Sequence, residues 1–214
     1  MHIERIPAWL ADTNAYLVVS DDGQGLLVDA PPDPELIGTH IARLDVAVVA
    51  LLLTHGHVDH SGGAGGLAEK TGAVTYVHPD DDFLTLHPIE QLRRMWGMEP
   101  PGSYEVPATM ESLHHGQVLE LAGISVEVRH TPGHTPGHCC FWWEAEGVLF
   151  SGDQLFAGSI GRFDLPGGSG PDLYKSMREQ VMTLDDEVLV LPGHGSETTI
   201  GRERATNPFR GEWS

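Results

Sequence analysis

The sequence predicts an α/β sandwich in which two β-sheets pack face to face and helices cover both outer faces. The predicted strands fall into two groups on either side of an irregular stretch at about residues 87–115. Each group is accompanied by segments with apolar residues at helical spacing. Polar loops follow the carboxyl ends of strands in both groups, and strands and amphipathic helices in this arrangement bury their apolar faces as layers. We therefore expect a single domain over residues 1–214, with an irregular lobe at about 87–115.

The first half predicts a mixed set of strands and helices. From the amino terminus the expected elements are strands at residues 3–6, 14–19 and 26–30, a helix at 34–44, a strand at 46–53, a helix at 61–70, a strand at 73–77 and a short helix at 79–86. Asp22-Gly23 marks a turn between the second and third strands, and Pro34 suits the first position of a helix. The apolar run at 46–53 indicates a buried strand.

Residues 87–115 interrupt this regular pattern. They contain four prolines together with methionine and aromatic side chains, which indicates an irregular lobe. Those apolar side chains could line a substrate entrance or fill a core beneath a long loop, and the sequence leaves both readings open.

The second half repeats the plan of the first. The expected elements are strands at residues 118–121, 124–129, 139–143 and 148–150, a helix at 171–184, a strand at 187–191 and a closing helix at 198–205. The alternation of Ile124, Val126 and Val128 marks one buried face of a strand.

The loop after the strand at 46–53 is rich in metal-binding side chains. It reads Thr54-His55-Gly56-His57-Val58-Asp59-His60-Ser61-Gly62-Gly63. Packing does not explain three imidazoles and a carboxylate here, because buried His and Asp need partners. In extended backbone, side chains two residues apart lie on one side, so His55 and His57 can point together while Asp59 and His60 face a neighbouring position. This layout predicts two adjacent cations, and nitrogen with oxygen donors suits zinc, iron or manganese.

The composition excludes several classes of partner. Twelve basic and 31 acidic residues give a net charge of −19, which argues against nucleic acid or an anionic membrane surface as a partner. The two cysteines, Cys139 and Cys140, are adjacent and begin an apolar strand, so we expect buried thiols and no disulfide framework. The first 15 residues lack a signal-peptide pattern, and no apolar run reaches the ~18 residues of a membrane helix. These features predict a cytoplasmic protein.

Ordered motifs along the chain resemble those of the metallo-β-lactamase superfamily. They are His55-x-His57-x-Asp59-His60, Thr131-Pro132-Gly133-His134-Thr135-Pro136-Gly137, Ser151-Gly152-Asp153-Gln154-Leu155-Phe156 and Leu191-Pro192-Gly193-His194-Gly195. The residues flanking the ligands resemble the glyoxalase II-like, or hydroxyacylglutathione hydrolase-like, branch. The resemblance spans nearly the whole chain and implies the αββα metallo-β-lactamase fold.

The resemblance also implies a ligand set. It assigns His55, His57 and His134 to one metal ion, Asp59, His60 and His194 to a second, and Asp153 to a bridge between them. Two Zn²⁺ ions per chain are expected, with Fe²⁺ or Mn²⁺ as alternatives. A metal-bound hydroxide would then attack the carbonyl of a small-molecule thioester. The catalytic candidates are the two carboxylates Asp59 and Asp153. Asp59 is expected first as a ligand, but it could also orient the water or accept its proton. His138, four residues after His134, lies outside this set and is expected to be a surface or a supporting group.

Two departures from the glyoxalase II pattern keep other functions open. Glyoxalase II enzymes carry a carboxy-terminal helical domain that binds glutathione, whereas 20 residues follow His194 here. We therefore expect rim loops to bind any thiol carrier. The stretch at 158–168 resembles persulfide dioxygenases, in which a single iron occupies the positions of His55, His134 and Asp153. Arg162 in this stretch is a candidate substrate-binding residue, with a salt bridge to Asp164 as the alternative.

The sequence therefore favours a metal-dependent thioesterase acting on a small thiol-derived substrate. The second hypothesis is a mononuclear iron persulfide dioxygenase on the same scaffold. A lactonase, β-lactamase or other ester hydrolase is third, and a metal-carrying interaction module without catalysis is the non-enzyme alternative.

Overall fold

Two six-stranded β-sheets form the centre of the computed structural model, which describes residues 1–213, with Trp96 described by its backbone alone. The strands of the first sheet are β1 His2–Ala8, β2 Thr13–Val19, β3 Gln24–Val28, β4 Ala47–Leu52, β5 Val74–Val77 and β6 Met110–Ser112. They lie side by side in chain order. Strands β1 to β3 pair antiparallel, and β3 to β6 pair parallel.

Helices connect the parallel strands of the first sheet, as parallel pairing requires. They are α1 Pro34–Leu44, α2 Val58–Ser61, α3 Ala64–Thr71, α4 Asp82–Thr85 and α5 Pro88–Trp96. Helix α1 shows why such segments begin where they do. The Asp33 side chain accepts a hydrogen bond from the Leu36 amide, and Pro34 occupies the first turn, where its missing N–H leaves no bond unmade.

The second half of the chain builds the second sheet. Its strands and helices are β7 Val118–Leu121, β8 Ile124–His130, β9 Cys139–Trp143, β10 Val148–Gly152, a small hairpin of β11 Leu155–Phe156 and β12 Ser159–Ile160, α6 Gly170–Ser176 continued by a π-helical turn at Met177–Val181, β13 Leu189–Pro192, β14 Thr198–Thr199 and α7 Ile200–Thr206. The order across the second sheet is β14-β13-β10-β9-β8-β7. Only β10 and β13 pair parallel among these strands. No helix within residues 1–213 combines the length and the apolar character needed to cross a bilayer.

Three apolar layers hold the sheets and helices together. Phe141 and Phe150 lie in the core between the two sheets. Ile37 and Leu67 belong to the layer that packs α1 and α3 on the first sheet. Leu173 of α6 belongs to the third layer, on the outer face of the second sheet. The prediction of two mixed sheets flanked by helices is therefore confirmed.

Two predicted elements differ from the structure. The helix expected at 61–70 begins only at Ala64, as α3, and the separate short helix α2 precedes it. Gly63 between them packs directly on the carbonyl of Pro31, where a side chain would not fit. The stretch at 87–115 is not irregular throughout, since it contains α5 and β6. The prolines of this stretch predict irregular structure, but Pro88 stands at the first position of α5, where a proline is favourable. Residues 97–109 between the two elements carry no helix or strand.

Candidate metal centre

Loops after four strands bring the predicted metal ligands together at one rim of the two sheets. These loops follow β4, β8, β10 and β13. The side chains that meet there are His55, His57, Asp59, His60, His134, Asp153 and His194, and their donor atoms form overlapping groups within 4.8 Å. Residues up to 139 positions apart in the chain therefore share one small volume, since His55 and His194 belong to linked groups.

The first group consists of three buried imidazoles. The Nε2 atom of His55 lies 3.0 Å from Nδ1 of His57, which lies 2.8 Å from Nε2 of His134. The other ring nitrogen of His134, Nδ1, donates a hydrogen bond to the Arg162 carbonyl at 2.6 Å. Nε2 of His134 therefore presents a lone pair to the group. Nδ1 of His57 carries at most one proton, so it can donate a hydrogen bond to only one of the two facing nitrogen atoms. A cation shared by the three rings would contact all of them.

The second group combines two imidazoles and a carboxylate. Nδ1 of His60 donates to the Asp29 carboxylate at 2.8 Å, so its Nε2 atom faces the group. That Nε2 atom lies 3.2 Å from Nε2 of His194 and 3.6 Å from Oδ2 of Asp59. Nε2 of His194 is 3.3 Å from the same Asp59 oxygen. These three donors can bind one cation.

Asp153 lies between the two groups and contacts both. Its Oδ2 atom is 3.5 Å from Nε2 of His134, and its Oδ1 atom is 3.3 Å from Nε2 of His60. Oδ1 is buried and accepts no hydrogen bond within the described residues. A buried carboxylate oxygen without a hydrogen bond is costly unless a positive charge neutralises it. The charge can come from a protonated His60 ring, 3.3 Å away, or from a bound metal ion that takes the place of that proton. The donor set therefore fits a pair of metal ions with Asp153 between them.

The electrostatics at His55, His57 and Asp153 favour metal ligation. At His60 and His194 burial lowers the pKa, but the facing carboxylates outweigh burial and raise it, so these two rings must lose a proton to bind. Burial lowers the pKa of His57 to about 3 and that of His55 well below its usual value, and neighbouring imidazoles add to both effects. Burial would raise the pKa of Asp153, but the facing histidines, His60 first among them, reverse this and lower it. Neutral imidazoles and an ionised carboxylate are the forms that bind metal.

Two buried carboxylates that the sequence did not single out support the ligands. Asp29 accepts from the Thr54 amide at 2.8 Å and from His60, so it orients the end of β4 and a ligand together. Asp81 accepts from the Gly56 amide, the Thr135 hydroxyl and the Gly137 amide, each at 2.7 Å, and so joins the loops that carry His57 and His134. Asp29 directly follows the buried strand β3, and an acidic residue at the end of an apolar run can be recognised in the sequence. No local signal marks Asp81, whose partners are 25 to 56 residues away.

The remaining loops are also fixed by polar side chains. Nε2 of His138 accepts a hydrogen bond from the Asp153 amide at 3.1 Å, so His138 has the supporting contact expected of it. Asn14 donates to the carbonyls of Pro192 and Gly195 at 2.9 and 3.0 Å and thereby holds the His194 loop. The Thr13 hydroxyl donates to Oδ2 of Asp59 at 3.2 Å.

Arg162 lies beside the cluster, but its guanidinium group faces Asp164. Nε and Nη2 contact the two carboxylate oxygens of Asp164 at 2.8 and 2.9 Å, and the pair is exposed. The structure thus contains the salt bridge that the sequence left as the alternative. The contact of Arg162 with the cluster is through its carbonyl, which accepts from His134. A substrate-binding role for the guanidinium stays a prediction.

Comparisons with known proteins match nearly the whole chain. The model of the metallo-beta-lactamase superfamily matches residues 9–194. The hydroxyacylglutathione hydrolase GloC of Haemophilus influenzae is 34% identical over 209 residues, covering 98% of each chain. The crystal structure of the BLEG-1 B3 metallo-β-lactamase has a TM-score of 0.90 and 33% identity, covering 98% of this chain and 99% of that one. The structure of TTHA1623 in a di-iron-bound form has a TM-score of 0.85 and 36% identity, covering 96% and 99%.

Proposed function

Because the chain belongs to the metallo-β-lactamase superfamily, we propose that it is a metal-dependent hydrolase that cleaves a small thioester, as glyoxalase II-like enzymes do. The observation that carries the proposal is the pair of ligand groups with Asp153 between them, one of its oxygens buried and without a hydrogen bond among the described residues. The full-length similarity to a hydroxyacylglutathione hydrolase supports a thioester as the substrate.

The residues of the cluster and those that contact it would have separate tasks in this reaction. Bound metal ions would supply Lewis acidity and lower the pKa of a bound water to roughly 7, so that a nucleophile exists at neutral pH. Asp29 keeps the His60 ring in one tautomer and orientation, and His138 holds the backbone of Asp153. Asp59 and Asp153 are the ionised carboxylates of the cluster, so each would hold a cation, and Asp59 could also orient the attacking water.

We propose two Zn²⁺ ions per chain, with Fe²⁺ or Mn²⁺ as the alternatives. Imidazole nitrogen with carboxylate oxygen suits all three metals. The di-iron form of a structure with 36% identity supports iron as a serious alternative. The proposed location is the cytoplasm, where a chain with two buried, unpaired thiols is stable against oxidation.

The second candidate is an iron-dependent persulfide dioxygenase. The observation in its favour is that His55, His134 and Asp153 can present two imidazoles and one carboxylate to a single iron. The rings of His55 and His134 lie 4.7 Å apart, and Nε2 of His134 lies 3.5 Å from Asp153. Such a face leaves positions open for a sulfur substrate and for oxygen.

One preparation can separate these candidates. The protein is purified without added metal, its metal content is measured, and it is assayed for thiol release from S-lactoylglutathione and for oxygen uptake with glutathione persulfide. We expect about two metal ions per chain and thioester cleavage. Oxygen uptake with one iron per chain and no thioester cleavage would establish the dioxygenase instead. Cleavage of a chromogenic β-lactam or a lactone alone would show another hydrolase, and inertness of the metal-loaded protein in every assay would favour a binding module.

Matched variants link the activity to the cluster. His55→Ala removes a fully buried ligand, whereas His114→Ala removes an exposed histidine away from the cluster. We expect loss of metal and of activity in the first variant and neither loss in the second.

A further inference from the structure

A groove opens beside the ligand His57, between α5 and the loop at residues 163–168. Its volume is about 230 Å³. The apolar part of its lining consists of Phe83, Leu84, Met95, Leu165 and Pro166. We call this cavity the α5 groove. It lies below the roughly 300–1,000 Å³ of pockets for drug-sized ligands, so it suits a chain of a few methylene groups and not a large carrier.

The position of α5 relative to the cluster is fixed by Gln91, which is buried. Its Oε1 atom accepts from the Val58 amide at 3.1 Å, and its Nε2 atom donates to the Gly56 carbonyl at 3.0 Å. The same Nε2 atom donates to the Leu84 carbonyl at 2.8 Å. Gly56 and Val58 flank His57 in the chain, so Gln91 couples the helix directly to a proposed metal ligand. Side chains on this face of α5 therefore have a defined place relative to the reaction centre.

Arg94 lies on that face, three residues after Gln91, and lines the groove. It is exposed, and it makes no ion pair or hydrogen bond with another residue in the part of the chain that the structure describes. Arg93 contrasts with it, because Arg93 pairs with Glu99 at 2.6 Å and does not line the groove. Glu90 also lines the groove, and the ion pair it makes is with His87, at 3.8 Å.

An unpaired arginine at an apolar groove is unusual in a chain with a net charge of −19. An anionic substrate would be repelled by most of this surface, so a local cation is needed to bind it. The guanidinium fork matches a carboxylate in shape and in charge. Arg162, whose carbonyl contacts His134, is already paired with Asp164, and the Arg5 guanidinium donates to the Gly195 carbonyl.

We propose that the α5 groove binds a thioester chain that ends in a carboxylate, with the methylene groups against the apolar wall and the carboxylate on Arg94. This inference rests on the proposed thioesterase function. The carboxylate can belong to the acyl part or to the thiol part of the substrate, and the same chemistry recognises both. Arg94 is then the residue that selects acidic over neutral thioesters.

Two pairs of substrates test the inference and separate the two parts. The thiol-side pair is S-acetyl-4-mercaptobutanoate and its carboxamide, and the acyl-side pair is the mono-S-ethyl thioester of glutaric acid and its carboxamide. The wild-type enzyme should show a KM about fivefold lower for the acid in one pair, with similar kcat, as expected for one exposed ion pair. The pair that shows the preference identifies the part that occupies the groove.

Variants of the two adjacent arginines supply the control. Arg94→Gln should remove the preference, Arg94→Lys should keep part of it, and Arg93→Gln should leave it intact. Arg94→Glu should reverse the charge preference, so that an ammonium-terminated analogue binds better than the acid. Equal KM values for acid and amide in both pairs, or equal losses in Arg93→Gln and Arg94→Gln, would overturn the inference while leaving the thioesterase function in place.

A binding measurement keeps the inference testable if no thioester is cleaved. Calorimetry with the thioether 4-(ethylthio)butanoate and its carboxamide should show about fivefold tighter binding of the acid, lost in Arg94→Gln. Equal affinities would reject the groove assignment. Inertness toward all thioesters together with this binding preference would instead reject the proposed function and retain the anion site.

Discussion

Replacing Asp81 tests whether the hydrogen bonds between the ligand-bearing loops hold the cluster together. The Asp81 carboxylate is fully buried and accepts hydrogen bonds from Gly56, Thr135 and Gly137, which belong to two of the ligand-bearing loops. Asp81→Ala leaves two amide N–H groups and one hydroxyl without an acceptor. Asp81→Asn retains the shape, but its NH₂ group must face at least one of these donors.

The size of the effect follows from the number of unpaired groups. Each buried donor left without a partner costs about 1–3 kcal/mol. Asp81→Ala should therefore lower the free energy of unfolding by about 4 kcal/mol, a large part of the roughly 5–15 kcal/mol of a typical domain. Asp81→Asn should cost about 1–2 kcal/mol, because it loses one bond. Burial raises the pKa of Asp81, so the neutral amide also avoids part of the cost of burying a charge.

Urea denaturation in the presence of a chelator is the suitable assay. No variant then holds metal, so the differences in the free energy of unfolding come from the protein alone. Asp80→Ala is the matched control, since Asp80 is adjacent, its side chain is 59% exposed, and its long contact with His78, at 3.7 Å, contributes little to stability. We expect wild type and Asp80→Ala to have the highest free energy of unfolding, Asp81→Asn a lower one and Asp81→Ala the lowest. Without chelator, Asp81→Asn and Asp81→Ala should also contain less metal. Equal stability of Asp81→Ala and Asp80→Ala would refute the reasoning.

Three further predictions concern the cluster itself. His55→Ala should abolish turnover and lower Tm in calorimetric scans, because metal binding contributes to folding, and wild-type turnover in this variant would contradict the assignment. Arg162→Ala keeps the carbonyl that accepts from His134, so KM should rise less than about threefold with kcat unchanged, and a large fall in kcat would place the guanidinium at the chemistry. Burial lowers the pKa of His60, but the facing carboxylates outweigh it and raise the pKa, so a metal ion must displace a proton from this ring. Metal affinity should therefore fall as the pH is lowered, and calorimetry in buffers of different ionisation enthalpy should detect proton release, whose absence would count against His60 as a ligand.

The layered fold could be predicted because its signals are local. The apolar run ahead of Thr54 and the alternation of Ile124, Val126 and Val128 each lie within a single strand. Four of the seven clustered side chains stand in one loop, so their convergence could also be anticipated. Side-chain alternation already separated His55 and His57 from Asp59 and His60 within that loop. The places of His134, Asp153 and His194 came from the resemblance to a family, since spacing in one loop does not fix them.

The supporting contacts could not be predicted, because they join positions that no local pattern connects. Gln91 reaches Gly56 across 35 residues and lies in a stretch whose prolines suggested irregular structure. Pro88 in fact begins the helix that carries Gln91 and Arg94, and this error hid the groove. Arg162 stands in a motif that the sequence shows, whereas the lack of an ion pair at Arg94 among the described residues is a property of the folded chain alone.

Anomalous diffraction from crystals of the metal-loaded protein would locate the bound ions. We expect two metal peaks, one contacted by the group of His55, the other by the group of His60, with Asp153 between them. A well-ordered crystal grown with Zn²⁺ or Fe²⁺ that shows no peak at this rim, with the imidazoles turned away from one another, would contradict this expectation.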